Sequence, residues 1–146
     1  MNRRYENGGP MKTILVLDDE ISLREPLCRL LQYHGYRTFE ALDEQEALRQ
    51  FHDKDCKIDV LIADVSLAIG SGLQVAVALR EHLPELGVIL ATGYPSQMWR
   101  ARDYTLLGKL GPDSVSILQK PFATPTLLAA IDKLIGGGQT QTARTA

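Results

Sequence analysis

A chain of 146 residues is expected to hold one compact domain with short tails rather than two domains. Sixteen basic residues against eighteen acidic ones leave a net charge of −2, which argues against wrapping nucleic acid or an anionic membrane. No apolar run is longer than Val75 to Leu79, against the roughly 18 residues a membrane-spanning helix needs.

Residues 1–11 read as a flexible N-terminal lead. Gly8, Gly9 and Pro10 punctuate it, no apolar segment marks it as a secretory signal, and Met11 is an alternative start. A cytoplasmic protein is expected. Cys28 and Cys56, without a C-x-x-C spacing, fit such a reducing compartment and read as small buried hydrophobes.

From residue 12 onward, strand-like and helix-like segments alternate. Strands are predicted at Thr13–Leu17, Arg37–Glu40, Ile58–Ala63, Gly87–Ala91 and Val115–Leu118. Three of these are nearly continuous apolar runs, as expected of strands covered on both faces. Ser22 to Glu25 and Asp43 to Glu46 have the form of capping boxes and predict two helix starts, with Pro26 distorting the first turn of its helix. Gly72 to Leu83 predicts a third helix that buries Leu73, Ala76, Val77 and Leu83. A fourth, Pro95 to Gly108, has a poor apolar stripe. Thr124 and Pro125 read as N-cap and first position of a fifth helix, which buries one face through Ile135 and stops at Gly136, Gly137 and Gly138. Residues 137–146 are expected to form a flexible tail, leaving 12–136 as the folded unit.

This alternation predicts an α/β fold, a doubly wound five-stranded parallel sheet of order 2-1-3-4-5 with five helices, flavodoxin-like in architecture. Ligands of such sheets bind beyond the carboxyl ends of the strands. There the sequence places Asp18, Asp19 and Glu20 after the first strand, Asp64 after the third, Thr92 and Gly93 after the fourth, and Lys120 after the fifth. Like charges brought that close repel by roughly 1 to 4 kcal/mol per pair, so the cluster calls for a counter-ion or raised pKa values. Oxygen ligands without His or Cys favour Mg²⁺, and because His34, His52 and His82 match no metal spacing, a transition-metal site is not expected. A carboxylate beside Mg²⁺ and a lysine describes phosphoryl transfer, with the carboxylate available as nucleophile.

These residues closely resemble the receiver domain of two-component response regulators over about residues 12–136. ILVLDDE at 14–20 resembles the family's acidic pair, DVLIADVSLAIGSGL at 59–73 its phosphoacceptor strand and loop, LATG at 90–93 its Thr/Ser switch, and LQKPF at 118–122 its Lys-Pro motif. The resemblance implies Asp64 as phosphoacceptor, and Asp19, Asp64 and the Ser66 backbone carbonyl as Mg²⁺ ligands, with Asp18 acting through a metal-bound water. Thr92 and Lys120 would contact the phosphoryl group. It further implies a sensor histidine kinase or histidine phosphotransfer protein as donor and a non-covalent downstream protein partner. It implies Mg²⁺-dependent self-phosphorylation with slow autodephosphorylation in a signalling module rather than an enzyme. Direct DNA or membrane binding is not expected, and homodimerisation is left open.

Three positions depart from the family pattern. Ala68 stands where proline is usual, which predicts a looser loop after Asp64. Ile117 stands where many members carry the aromatic switch residue. The twenty-seven residues between Thr92 and Lys120 are longer than usual, with Gly111-Pro112 in place of Gly-Ala. Met98, Trp99 and Tyr104 in that stretch read as packing rather than as a partner surface. Among other readings, a degenerate receiver acting as a constitutive binding module is opposed by the presence of all five key residues. A haloacid-dehalogenase-type phosphatase would show D-x-D and a cap domain. A flavodoxin-type carrier would need a phosphate loop where Asp18, Asp19 and Glu20 stand.

Overall fold

The computed structural model describes residues 11–54, 57–68, 70–93 and 99–145. Five parallel strands form one sheet in the order β2-β1-β3-β4-β5, the predicted arrangement. They are β1 (Thr13–Leu17), β2 (Arg37–Ala41), β3 (Val60–Asp64), β4 (Gly87–Thr92) and β5 (Val115–Gln119). Between and after them run α1 (Ile21–Tyr33), α2 (Glu44–Lys54), α3 (Gly72–His82), α4 (Ala101–Leu110), a 3₁₀ turn at Pro112–Ser114, and α5 (Thr124–Thr145). The three apolar runs are the three central strands, buried at every position, while β2 and β5 form the edges.

Period-two alternation of strand side chains explains the layers. Leu15, Leu17, Leu61, Ala63, Val88 and Leu90 face one way, into a core shared with Ala47 of α2, Leu73, Ala76 and Leu79 of α3, and Leu110 of α4. Ile14, Val16, Val60, Ile62 and Ile89 face the other way, against Cys28 and Leu31 of α1 and Leu127 and Ile131 of α5. Leu61→Ala should therefore cost about 2 to 5 kcal/mol by opening a cavity at a fully buried site. Denaturant unfolding checks this against Leu42→Ala, whose side chain is 42% exposed and whose loss should be small.

Several local expectations are corrected. The first helix begins at Ile21, before the supposed Ser22 box, and no side chain caps its first amides. Instead the Asp18 carboxylate accepts from the Glu20 amide, an Asx turn that leads the chain into the helix. Pro26 then sits within α1, past the first turn, where the amide it lacks would have bonded one turn back. At α2 the Asp43 carboxylate does accept from the Glu46 amide, but Glu46 reaches back to Leu42 rather than to Asp43. The capping box that does form at α3 pairs Ser71 with Gln74. Val77 and Leu83 are only partly buried, and Val75 and Leu79 take the deep positions of α3. Thr124 is already helical, with the Ala123 carbonyl accepting the first bond, so the cap lies one residue earlier. Gly136 does leave helical geometry, at φ −111° and ψ 23°, yet helical backbone continues to Thr145. The amphipathic stretch thus breaks at Gly136, as expected, and a second helical stretch follows it, since glycine weakens a helix without forbidding it. Cys28 is buried and its thiol is pushed up to about 11 by that burial and then by the charge of Glu40, which keeps it protonated and inert. Residues 1–10, Cys56 and Met98 lie outside the described residues.

Candidate functional site

At the carboxyl edge of the sheet, the strands deliver the predicted residues to one place. Asp64 is the last residue of β3 and Thr92 the last of β4; Asp18 and Lys120 directly follow β1 and β5. Asp18, Asp64 and Thr92 are 7%, 9% and 3% exposed, so two carboxylates are withdrawn from water side by side. Their counter-charge is Lys120, whose Nζ lies 3.0 Å from Asp64 Oδ2 and 3.2 Å from Asp18 Oδ2. Burial pulls the Lys120 ammonium down, but the hydrogen bond and charge of Asp64, and then those of Asp18, outweigh it and hold the group above its ordinary range. The lysine itself is placed by its backbone amide, which donates to the Thr92 carbonyl at 2.7 Å. A cis peptide bond joins it to Pro121.

The second oxygen of each buried carboxylate is also engaged. Asp64 Oδ1 accepts from the Ser66 amide at 2.9 Å, and Asp18 Oδ1 from the Glu20 amide at 2.9 Å. Asp19, half-buried at the rim, accepts from the Ala68 amide at 2.6 Å. A proline at position 68 has no such donor, so the departure noted in the sequence gives the loop an extra tie. The described part of that loop is further held by a bridge between Ser66 and Ser71 and by the Ser71 cap, against the expectation of a looser segment. Ser66 is exposed and Ile117 is 43% exposed on β5, turned away from the core. Trp99 is buried while Tyr104 is half-exposed against it, so the pair is partly packing, as expected, and partly surface.

Three further contributors shape the site. Arg24 of α1 donates from Nη1 to the Asp18 carbonyl at 2.6 Å and from Nε to Glu40 Oε1 at 2.8 Å, pinning the chain where it leaves β1. Leu23, Leu27, Pro121 and Phe122 line an apolar cavity of about 440 Å³ whose floor includes Asp18, Asp64 and Lys120. Gly72 lies so close to the third strand that a Cβ there would stand 2.2 Å from the Asp64 carbonyl oxygen. Of these, the glycine carried a local signal as the start of the predicted third helix, and Pro121 and Phe122 as part of the Lys-Pro motif, whereas Arg24, Leu23 and Leu27 carried none.

Three carboxylates and one ammonium leave the pocket two charges negative, which a divalent cation would neutralise, and every available ligand is a hard oxygen. Asp18, Asp19 and Asp64 do not close on one point as they stand, because Asp19 is turned to Ala68 and Lys120 occupies the space between the other two. The chemistry and charge of the site fit such an ion, with Asp19 required to turn inward.

The family model described as the response regulator receiver domain matches residues 14–132. Response regulator MprA of Mycobacterium ulcerans is 33% identical over 122 residues, covering 84% of this chain and 49% of that protein. The chain spans from 12% to 57% of the length of the first three curated relatives it matches. A solved structure of the response regulator TrrA of Thermotoga maritima, in complex with Mg²⁺-BeF, superposes with a TM-score of 0.69 at 31% identity, over 85% of this chain and 99% of that one. A response regulator of Burkholderia pseudomallei with a phosphorylated aspartic acid, a calcium ion and citrate superposes with a TM-score of 0.68 at 27% identity, over 92% of this chain and 74% of that one.

Proposed function

The chain belongs to the receiver-domain family of phosphorelay response regulators, and from that premise we propose that Asp64 is its phosphoacceptor and Lys120 the cation that serves the transfer. One observation carries this reading: a single ammonium bridges two nearly buried carboxylates at the ends of β1 and β3. An Asp64 oxygen attacks the phosphorus of a phosphohistidine donor, the P–N bond breaks as the O–P bond forms, and the released imidazole takes up a proton. The new phosphoryl group adds charge of about −1.5 to −2. Lys120 is already placed to pair with it, and Thr92, buried one residue beyond Ala91, the register partner of Asp64, has the hydroxyl to contact it. Mg²⁺ would be held by Asp19, Asp64 and the Ser66 carbonyl, with Asp18 acting through water, and would offset the remaining negative charge. Gly93, where an added Cβ would meet nothing within 4 Å among the described residues, leaves room on that side for the donor to approach.

The phosphodonor is a sensor histidine kinase or a histidine phosphotransfer protein, and the phosphorylated domain signals by binding a further protein. Slow hydrolysis of the acyl phosphate returns the module to its resting state. Incubation with a radiolabelled phosphohistidine donor protein tests this. Label is expected on the chain only with Mg²⁺ present, and transfer that persists after chelation would contradict it. Asp19→Asn is expected to weaken Mg²⁺ binding about tenfold or more in a calorimetric titration, since an inner ligand should matter at least as much as an outer one. Unchanged affinity would remove Asp19 from the metal shell.

A further inference from the structure

His52 and His82 stand thirty positions apart in sequence, with no spacing that marks a metal site, yet the fold brings them together. One sits in the last turn of α2, the other is the last residue of α3, and both side chains are exposed. Their ring centroids lie 5.9 Å apart at an interplanar angle of 74°. Phe51, partly buried against the core, contacts both rings, at 5.0 Å and 5.4 Å, and so restricts where they can go.

We propose that His52 and His82 form a second metal site, independent of the carboxylate pocket, that takes a borderline divalent transition-metal ion such as Zn²⁺. Neutral imidazole is a preferred ligand of Zn²⁺, Ni²⁺ and Cu²⁺, whereas the all-oxygen pocket at the other residues selects a hard ion. The separation of the two rings is close to that in chelation. With a metal–nitrogen bond of about 2.0 to 2.1 Å, two imidazoles sharing one ion have centroids about 5.2 to 5.6 Å apart at angles between tetrahedral and trigonal. A shift of a few tenths of an ångström, within the side-chain freedom of two exposed residues, closes the gap. A second feature also favours a cation here. Both histidines lie at helix C-termini, where unsatisfied carbonyls present the negative end of each helix dipole. Among the described residues no third His, Cys, Asp or Glu joins the pair, so water would complete the coordination and binding would be reversible. The bound ion would tie the end of α2 to the end of α3.

Calorimetric titration of the full chain with Zn²⁺, with Mg²⁺ in excess to occupy the carboxylate pocket, tests this directly. One Zn²⁺ per chain is expected, weakened about tenfold or more in both His52→Asn and His82→Asn and unchanged in His34→Asn. Added Zn²⁺ should raise the thermal unfolding midpoint of the wild type but not of the two variants. Absence of saturable binding, equal binding by the two variants and the wild type, or loss in only one of them would overturn the proposal.

Discussion

Gly72→Ala is expected to lower the unfolding free energy by about 3 kcal/mol or more, at the upper end of what overpacking costs. The new Cβ would stand 2.2 Å from the Asp64 carbonyl oxygen and 2.9 Å from the Ala63 Cβ, and a backbone oxygen cannot swing aside as a flexible side chain can. Relief must come from separating α3 from the end of β3, the strand that presents Asp64. Phosphoryl acceptance should therefore fall along with stability. Gly93→Ala is the natural control, because none of the described residues lies within 4 Å of the Cβ it would add, and its stability should stay within about 0.5 kcal/mol of wild type. Denaturant unfolding of both variants separates the close approach from a general intolerance of side chains near the site.

Lys120→Met is expected to slow phosphoryl acceptance about a hundredfold or more, the scale of removing one prepositioned electrostatic contact. It should also destabilise the unphosphorylated domain at neutral pH, because Asp18 and Asp64, 7% and 9% exposed, would face one another without their cation. The loss should be about 1 to 3 kcal/mol, below that of a fully buried pair because a quarter of the Lys120 side chain remains exposed. Adding Mg²⁺ should recover part of it. The pH dependence has a definite sign. The Lys120 ammonium is held above its ordinary 10.5, against its own burial, by Asp64 and Asp18, so its contribution is fully present below that pH and is lost as pH rises through the folded value. The wild type should show this alkaline loss in an unfolding series and Lys120→Met should not.

The sheet was readable because β1, β3 and β4 are buried on both faces, and that condition writes itself into the sequence as uninterrupted apolar runs. The polar residue that ends each run then had to lie at the carboxyl edge, which is why Asp18, Asp64, Thr92 and Lys120 could be placed together. What escaped was set by partners distant in sequence. Arg24 matters through Glu40 and the Asp18 carbonyl, and Ala68 through an Asp19 forty-nine positions away, contacts that no local pattern encodes. The start of α1 was misplaced for a related reason. Asp18 both faces the pocket and caps the Glu20 amide, so the turn that looked like a job for Ser22 was already filled.

The central claim is that one carboxylate, Asp64, receives the phosphoryl group. Intact-mass measurement after incubation with Mg²⁺ and a small acyl phosphate tests it most directly. The wild type is expected to gain the mass of one phosphoryl group and Asp64→Asn none; an undiminished adduct on Asp64→Asn, or none on the wild type, would contradict the assignment.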